Sequence, residues 1–253
     1  KSARTQIVHT HMIHGDLYGT LAARSAGLAV VQSRHNDDRF RQRWAVRLLT
    51  RWLAGQAKTV IAISDSVAAF ARDVEGVPGS KIVRIHYGLD PAQVTAKARP
   101  GALRAELGLR KDAPLVGAAG RLTEQKGFRY LLEAFAMVRQ SLPQAQLVIA
   151  GDGPPGQRSA LEARSISGAV HFLGWRSDVP SVMADIDVLA VPSLWEGVGL
   201  VTLEAMALSK PVVASMGERG RARLEKEFTV QRMARQHVAV YKEAASRVPE
   251  FRA

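Results

Sequence analysis

The chain has 253 residues, a formal net charge of +12 and no cysteine, and apolar residues make up 47% of it. It is long enough for two ordinary domains with hydrophobic cores, and without cysteine it forms neither disulfides nor thiolate metal sites. No apolar run approaches the length of a membrane-spanning helix and no signal peptide opens the sequence, so we expect a cytoplasmic protein. The positive charge favours anionic partners, although a basic surface that only aids solubility explains it too.

The first part of the sequence alternates short β-branched runs with stretches of helical periodicity. Four strands are predicted, at Ile7–His9, Ala29–Ser33, Thr59–Ile63 and Lys81–His86. Three helices are predicted between them, at Asp16–Ala26, Arg39–Gln56 and Ser64–Glu75. Alternation of this kind indicates a parallel sheet with right-handed crossovers, since each helix returns the chain to the same end of the sheet.

A second alternating series follows a break. Prolines, Gly101 and many charges between Asp90 and Asp112 predict a linker. Strands are then predicted at Leu115–Ala119, Leu147–Ala150, Val170–Leu173, Asp187–Val191 and Pro211–Ala214. Helices are predicted near Phe128–Ser141, Gly156–Arg164, Asp178–Ala184 and Leu200–Leu208. The pattern predicts an α/β protein of two Rossmann-like, doubly wound parallel-sheet units, with ligands beyond the carboxyl ends of the strands.

We place the first unit at residues 1–90, the second at 91–215, and C-terminal helices that pack back toward the first unit at 216–253. The first unit has only about four strands and begins in mid-pattern, so we expect it to be truncated.

A loop rich in glycine and positive charge follows the predicted strand Leu115–Ala119. Its sequence is Gly120-Arg121-Leu122-Thr123-Glu124-Gln125-Lys126-Gly127. Arginine offers a planar fork of donors and lysine a compact charge, so Arg121 and Lys126 at a strand's carboxyl end suit a diphosphate. A basic turn with a solvated lysine explains the same residues without a ligand.

A second loop leads into a predicted helix, and its glycines allow the backbone to approach a ligand closely. It runs Pro192-Ser193-Leu194-Trp195-Glu196-Gly197-Val198-Gly199-Leu200-Val201. The amides of Gly199, Leu200 and Val201 stand at the helix start, where unpaired N–H groups attract anions. Glu204, further along the helix, is placed to accept hydrogen bonds from sugar or ribose hydroxyls; an ordinary surface glutamate is the alternative.

From Ile63 to Ser215 the sequence resembles the retaining glycosyltransferases of family four, which have the GT-B fold and the glycosyl transferases group 1 domain. The shared motifs are G-R-L with K-G at 120–127, G-D-G-P at 151–154, F-L-G at 172–174, P-S at 192–193 and E-x7-E followed by A-M-A at 196–207. The resemblance implies donor binding by Gly120, Arg121, Lys126, Arg176, Glu196, Gly197, Gly199, Leu200, Val201 and Glu204. It implies that Glu196 lies by the transferred sugar, Glu204 on the ribose, and the backbone at Arg176 by the base.

The first unit resembles the family more loosely. Val8-His9-Thr10-His11 with Gly15 and Gly19 is similar to a strand-to-helix turn that faces the donor, and Ser33-Arg34-His35-Asn36-Asp37 to the next strand end. A histidine of this half often meets the sugar in such enzymes, and His35 is our first choice. His11 and His14 are alternatives on an acceptor side that includes Gly15. Each histidine is explained equally well as a hydrogen-bonded structural residue.

The mechanism implied by the resemblance is retention of anomeric configuration by front-face attack. Its catalytic set is Glu196, Arg121, Lys126 and His35. The two cations and the helix start would stabilise the leaving diphosphate, which removes the need for Mg²⁺. We therefore expect no metal and no cofactor, only a nucleoside-diphosphate sugar as co-substrate.

Two patterns for other ligands are weaker. The G-x-G-x-x-G at 151–156 would contact a pyrophosphate through Pro154 and Pro155, which have no N–H, so a dinucleotide role is disfavoured. Asp185-Ile186-Asp187 looks like a metal-binding D-x-D, but it lies at the start of a strand, so we assign it to the helix end and strand start. His9, His11 and His14 lack a matched carboxylate for a metal.

The predicted helix Arg39–Gln56 carries an arginine ladder. Arg39, Arg43, Arg47 and Arg51 recur every four residues, with Trp44, Leu48 and Trp52 on the adjoining apolar side. Such a helix suits an anionic membrane and a peripheral location on its inner face. The alternative is a helix packed by its apolar side, with its arginines in water.

We therefore predict a retaining, metal-independent GT-B glycosyltransferase of the hexosyltransferase type. It would use a nucleotide-sugar donor, a saccharide or lipid-linked acceptor and no nucleic acid. One alternative is a GT-B-fold nucleotide-sugar epimerase, for which other acid–base residues and no E-x7-E pair are expected. The other is a non-enzymatic module that binds polyanions, against which the glutamates beside the diphosphate site argue because they repel a phosphate backbone.

Overall fold

The computed structural model describes residues 5–36, 39–164, 168–194 and 199–212. The described residues form two compact units that divide between Gly88 and Leu89. Each unit contains one four-stranded, fully parallel sheet with flanking helices, which confirms the predicted α/β class.

The first unit has the strand order β1-β2-β3-β4. Its strands are β1 (Ile7–His11), β2 (Ala29–Arg34), β3 (Thr59–Ala62) and β4 (Ile82–Arg84). Its helices are α1 (Met12–Ser25), α2 (Trp44–Gln56) and α3 (Asp65–Asp73). Every residue of β2 is buried, as expected for a central parallel strand covered on both faces. Because His11 pairs in register with Ser33, the carboxyl ends of β1 and β2 lie side by side.

The second unit has the strand order β7-β6-β5-β8. Its strands are β5 (Leu115–Ala119), β6 (Gln146–Ala150), β7 (Val170–Gly174) and β8 (Val188–Leu189). Its helices are α4 (Pro91–Lys97), α5 (Ala102–Glu106), α6 (Phe128–Ser141), α7 (Gln157–Glu162), α8 (Val179–Asp185) and α9 (Leu200–Ala207). β8 is shorter than predicted, and of the strand predicted at Pro211–Ala214 the described part supplies one bridge, from Val212 to Leu189.

The linker predicted between Asp90 and Asp112 is wrong, because this segment forms α4 and α5 within the second unit. Pro91 stands in the first turn of α4, where its missing N–H costs nothing, and the Asp90 side chain accepts a hydrogen bond from the Ala92 amide. Val94 and Leu103 are buried, so the two helices complete the core of the unit rather than bridge two domains.

Apolar side chains cover both faces of the second sheet. One cluster contains Phe128, Leu132, Phe135, Leu147 and Ile149. The other contains Leu115, Val148, Met183, Ile186 and Leu189. Since alternate residues of β6 enter the two clusters, the strand is nearly all apolar and is packed on both faces.

One predicted segment cannot be compared with the fold. The C-terminal helices placed at 216–253 lie outside the described residues. Within the described ranges, no helix combines the length and apolar character needed to cross a bilayer.

Candidate functional site

The loop after β5 is anchored to its neighbours by backbone hydrogen bonds. The Gly120 amide donates to the Ala150 carbonyl over 2.9 Å, and the Leu122 amide donates to the Asp152 carbonyl over 2.9 Å. Leu122 is fully buried, so it fixes the loop to the core. Both cations of this loop, Arg121 and Lys126, are therefore carried by a segment whose position is set by the sheet.

Arg121 and Lys126 both lie at the carboxyl end of β5. Arg121 is exposed, and its loop borders a depression of about 250 Å³. The residues lining it include Gly120, Arg121, Gly151, Asp152, Trp175 and Arg176. The Lys126 side chain runs beside Gly120, since a Cβ added there would lie 3.4 Å from Lys126 Cε. The structure thus places both predicted cations on one loop, and Arg121 borders an open depression whose lining is mostly apolar.

Gly151 and Gly153 are required by close backbone contacts. A Cβ on Gly151 would overlap the Gly120 carbonyl oxygen, and one on Gly153 would overlap the Leu122 carbonyl oxygen. The Gly151 amide also donates to the Gly174 carbonyl over 2.7 Å. The G-x-G pattern at this strand end therefore packs three loops together, which is a structural reason for the glycines other than dinucleotide binding.

Arg176 is held by two carboxylates. Its guanidinium forms salt bridges with Asp178 and Glu106, each with a shortest distance of 2.7 Å. Hydrogen bonds to Asp178 and Glu106 raise the pKa of Arg176, and the same arginine lowers the pKa of Asp178. With its guanidinium engaged in this way, Arg176 offers the depression mainly its backbone, while the neighbouring Trp175 is 76% exposed.

The loop before α9 packs on the turn that carries Lys126. The Leu194 amide donates to the Gln125 carbonyl over 2.8 Å. Gly127 has a φ of 64°, and the Pro192 carbonyl oxygen fills the space where its side chain would be. The two loops that carried the sequence motifs are therefore in direct contact at one edge of the second sheet.

Helix α9 begins at Leu200 with Gly199 as its N-cap residue. Helix geometry leaves the amides of Leu200 and Val201 without an intrahelical acceptor, so they are available to an anion. Glu204 lies one turn further along and is partly buried, and this burial raises the pKa of its carboxyl. Glu196 and Gly197, which were assigned to the same site, lie outside the described residues.

The first unit brings two of the three predicted histidines together. His11 ends β1 and His35 follows β2, and His11 Nδ1 lies 2.7 Å from His35 Nε2. On its other side, His35 Nδ1 lies 2.6 Å from the Tyr87 hydroxyl, and burial raises the pKa of Tyr87. Tyr87 was not predicted, because it becomes a neighbour of His35 only when the sheet forms.

The remaining acceptor-side residues lie in the first turn of α1. His14 is exposed there, and a Cβ added to Gly15 would meet nothing within 4 Å. Met12, which begins this helix, has a φ of 63° and is 70% exposed. A non-glycine residue with positive φ is strained, and such residues concentrate at functional turns.

A buried charged network lies beneath the strand ends of the first unit. Arg34 is 1% exposed and forms salt bridges of 2.8 Å with both Asp16 and Glu75. Asp16 also accepts a hydrogen bond from the Thr10 hydroxyl over 2.7 Å. Because charges this deeply buried are tolerated only when paired, the network fixes β1, β2, α1 and the segment after α3 to one another.

Asp185 and Asp187 serve the backbone. Asp185 accepts hydrogen bonds from the amides of Gly101 and Arg104, and Asp187 accepts one from the Leu115 amide and pairs with the Arg104 side chain. The D-x-D therefore has the helix-end and strand-start role predicted for it. In the described ranges no group of three or more histidines and carboxylates is arranged to hold a metal ion.

Comparison with known families gives two matches along the chain. The profile of the family described as Glycosyl transferases group 1 matches residues 113–241. A second profile, described as Glycosyltransferase Family 4, matches residues 1–93. The first match covers the two motif loops, Arg176 and Glu204, and the second covers His11, His14, Gly15 and His35.

Several curated proteins are similar in sequence. A UDP-Gal:alpha-D-GlcNAc-diphosphoundecaprenol alpha-1,3-galactosyltransferase of Escherichia coli is 30% identical over 227 residues, which cover 85% of this chain and 59% of that protein. An alpha-D-kanosaminyltransferase of Streptomyces kanamyceticus is 31% identical over 178 residues, which cover 68% of this chain and 45% of that protein. The chain thus spans about half the length of these curated relatives.

Solved structures share the fold. Anabaena HepE in complex with UDP and glucose superposes with a TM-score of 0.81 at 21% identity, covering 94% of this chain and 77% of that one. Sucrose-phosphate synthase of Thermosynechococcus elongatus gives a TM-score of 0.80 at 21% identity, covering 95% and 74%. At this level of identity the likeness establishes the fold, which is that of the GT-B glycosyltransferases.

Proposed function

The chain belongs to the glycosyl transferases group 1 family, and we propose that it transfers a sugar from a nucleoside-diphosphate donor to a saccharide or lipid-linked acceptor, with retention and without a metal. The observation that carries the proposal is the contact between the two motif loops of the second unit. Arg121 and Lys126 stand on one of them, and the other leads to the free amides of α9 and to Glu204. Cations, helix amides and a carboxylate are the groups that a nucleotide sugar requires.

The second unit supplies the donor-binding groups. The diphosphate would lie between Arg121, Lys126 and the first-turn amides of Leu200 and Val201, and Glu204 would accept hydrogen bonds from the ribose hydroxyls. The base would rest in the depression by the backbone at Arg176, whose guanidinium is already neutralised by Glu106 and Asp178.

In the proposed reaction the acceptor hydroxyl attacks the anomeric carbon on the face that the phosphate leaves. The new C–O bond forms as the bond to the phosphate oxygen breaks, and the electron pair stays on the diphosphate. The acceptor proton passes to that oxygen. Arg121, Lys126 and the α9 amides would stabilise the developing charge in place, as fixed donors do at other developing oxyanions. Glu196 would orient the sugar hydroxyls, as the family resemblance implies.

In the first unit we propose His35 as the group that contacts the transferred sugar. Its ring is held on one side by His11 and on the other by Tyr87, at 2.7 and 2.6 Å. A ring with both nitrogens engaged has a fixed plane, so His35 would meet the sugar in one orientation. His11, His14 and Gly15 would then lie toward the acceptor.

The relatives narrow the substrates that we propose. One of them uses UDP-Gal and an acceptor linked to diphosphoundecaprenol, and HepE was crystallised with UDP. We propose a UDP-hexose as the donor and, among acceptors, a lipid-linked saccharide first. The metal-independent mechanism rests on the cationic loop, since its two positive charges do what Mg²⁺ does for a diphosphate.

The experiment that tests this function is a panel of nucleotide sugars screened against the chain by thermal shift, followed by hydrolysis of the sugars that stabilise it. We expect a UDP-sugar to raise Tm and to be hydrolysed slowly, and an α-linked product from an α-linked donor when acceptor is added. A β-linked product would contradict retention. Recovery of an epimerised nucleotide sugar, with no sugar transferred, would show that the chain acts as an epimerase and not as a transferase.

A further inference from the structure

The outer side of α2 carries an exposed apolar stripe that the fold does not use. Trp44 is 77% exposed, Leu48 58% and Trp52 45%, and Phe40 in the preceding turn is 44% exposed. Trp44, Leu48 and Trp52 recur every four positions of α2 and therefore form one stripe along the helix, and Phe40 lies in the separate turn Arg39–Gln42 that precedes it. We refer to Phe40, Trp44, Leu48 and Trp52, together with Arg43, Arg47 and Arg51, as the α2 surface.

The helix is already held to its unit by its opposite side. Thr50, Leu53 and Ala54 are its buried residues, and the last two are fully covered. Two tryptophans and a leucine left in solvent are therefore not needed for packing. A contiguous apolar stripe of this kind is characteristic of an interaction surface. The alternative of a helix packed by its Trp44, Leu48 and Trp52 side is wrong.

The α2 surface is also positively charged. Arg43, Arg47 and Arg51 are exposed beside the stripe, and the sequence from Arg39 to Ser64 contains no acidic residue. Arg41 does not contribute to this surface, because it is buried against Glu75. The aliphatic part of Arg51 lies against Gly76, where an added Cβ would be 3.3 Å from it. A surface with only positive charge is complementary to an anionic partner.

We infer that the α2 surface docks the protein on an anionic lipid bilayer. Aromatic and aliphatic side chains enter the boundary between headgroups and acyl chains, where tryptophan is favoured, and arginines beside them contact lipid phosphates. A second copy of the chain is a poor occupant, because it would bring two sets of arginines face to face. A nucleic acid would use the arginines but would leave Leu48 and the apolar sides of the tryptophans in water.

This docking goes beyond sugar transfer and does not depend on it. It needs neither Arg121 nor Glu204, both of which belong to the other unit. It would place the chain at the surface where a lipid-linked acceptor resides. Each arginine near an anionic surface is expected to strengthen partitioning about fivefold, and this gain weakens as salt screens the charges.

The test is co-sedimentation of the full chain with vesicles of phosphatidylglycerol and phosphatidylcholine, compared with vesicles of phosphatidylcholine alone. No donor or acceptor is present, so failure of the proposed transferase activity cannot affect the result. We expect binding to the anionic vesicles at low salt, its loss at high salt, and little binding to neutral vesicles. Failure to bind anionic vesicles at low salt would overturn the proposal, and so would binding to single-stranded nucleic acid in preference to them.

Three variants separate docking from simple attraction by a basic protein. R43Q/R47Q/R51Q removes the charge of the α2 surface and should weaken partitioning roughly a hundredfold. W44A/L48A/W52A keeps the charge and removes the stripe, and should also lose binding. R110Q/K111Q/R129Q removes three exposed cations of the second unit, with the same change in net charge, and should bind as the wild type does. Equal losses in the first and third variants, or none in the second, would overturn the proposal.

Insertion of the α2 surface into the bilayer can be measured by the fluorescence of its tryptophans. The chain has four tryptophans, two of them on the α2 surface. Vesicles with brominated acyl chains should quench part of the wild-type fluorescence, because bromine quenches only tryptophans that enter the bilayer. In W44F/W52F, which keeps an apolar stripe, the remaining fluorescence should be unaffected by bromine. Quenching that persists in this variant would place a different surface in the membrane. The circular dichroism spectrum and Tm of each variant, measured first, establish that it is folded.

Discussion

The carbonyl oxygen of Pro192 occupies the space that a side chain on Gly127 would fill. This contact, with the hydrogen bond from Leu194 to Gln125, is how the loop before α9 reaches the turn that carries Lys126. A glycine is needed at residue 127 for two reasons, its φ of 64° and the neighbouring backbone.

We predict that Gly127→Ala lowers Tm more than Gly156→Ala does. Both glycines have positive φ, at 64° and 81°, so alanine costs about 1 kcal/mol of backbone strain at either position. Only Gly127 faces an obstructing atom, since nothing lies within 4 Å of a Cβ at Gly156. Thermal unfolding measures the difference in Tm between the two variants. We also expect Gly127→Ala, but not Gly156→Ala, to bind the donor more weakly. Equal changes in Tm would show that overlap with the Pro192 carbonyl oxygen does not contribute to the loss of stability.

Arg121→Ala and Lys126→Ala should each reduce turnover about a hundredfold or more, the scale seen when one donor to a developing oxyanion is lost. The measurement is initial rate with saturating donor, once a donor is known. Arg129→Ala is the matched control, because Arg129 is an exposed cation of α6, outside the two motif loops, that forms a salt bridge with Glu133 and lies over the Tyr130 ring. Near-normal turnover in both loop variants would refute the proposed mechanism.

Chelation should leave turnover unchanged. If Arg121, Lys126 and the α9 amides neutralise the leaving diphosphate, a divalent cation has no charge left to balance. The measurement is the initial rate of the chain after dialysis against EDTA, with and without added Mg²⁺ or Mn²⁺. Loss of activity that either ion restores would show that a metal takes part.

Donor affinity should depend on pH through Glu204. Burial raises the pKa of its carboxyl, and the ionised form is the better acceptor for ribose hydroxyls. As pH falls through this raised pKa the group takes up a proton, so affinity for UDP should begin to fall at a higher pH than an ordinary glutamate would give. Calorimetric titration with UDP, from neutral pH downward, measures this.

Glu204→Gln is the control for that titration. It should bind UDP about tenfold more weakly at neutral pH, on the scale of a hydrogen bond to a charged group. The affinity of this variant for UDP should change with pH only as UDP itself takes up a proton. If the affinity of the wild type for UDP changes with pH in the same way as that of the variant, Glu204 is not part of the donor site.

Asp16→Asn should destabilise the protein severely, by about 3–5 kcal/mol, since it leaves the buried Arg34 with one carboxylate in place of two. The measurement is denaturant unfolding followed by circular dichroism. Asp73→Asn is the control: Asp73 pairs with Arg72 at the surface, where both side chains are more than half exposed, and no measurable change is expected. Similar midpoints for the two variants would show that the buried network is not needed for stability.

Periodicity predicted most of the strands, because a parallel strand covered on both faces must be apolar along its length. It could not predict α4 and α5. Asp90 and Pro91 are favoured both in linkers and at the start of a helix, and the burial of Val94 and Leu103 decides between them. Periodicity also placed Trp44, Leu48 and Trp52 on one side of α2, but a helical repeat says nothing about what that side meets.

The candidate site could be predicted where its residues are close in sequence. Arg121 and Lys126 belong to one loop, so a local motif is enough to bring them together. The pairing of Arg176 with Glu106 and the contact of His35 with Tyr87 join residues far apart along the chain, and only the fold makes them neighbours. For Arg34 a signal was present: a charged residue that directly continues a buried strand must find partners.

The network around Arg34 has a consequence for how the first unit opens. Asp16 lies in α1 and Glu75 follows α3, and both carboxylates are satisfied by the same guanidinium. If either helix detached alone, it would leave part of that charge without compensation in the interior. Slow amide hydrogen exchange should therefore report α1 and α3 as one cooperative unit with a common free energy of opening. Gln32 links the network to the last turn of α2, where the Leu53 carbonyl accepts its hydrogen bond. The first turns of α2, with Trp44 and Leu48 exposed to solvent, would exchange earlier.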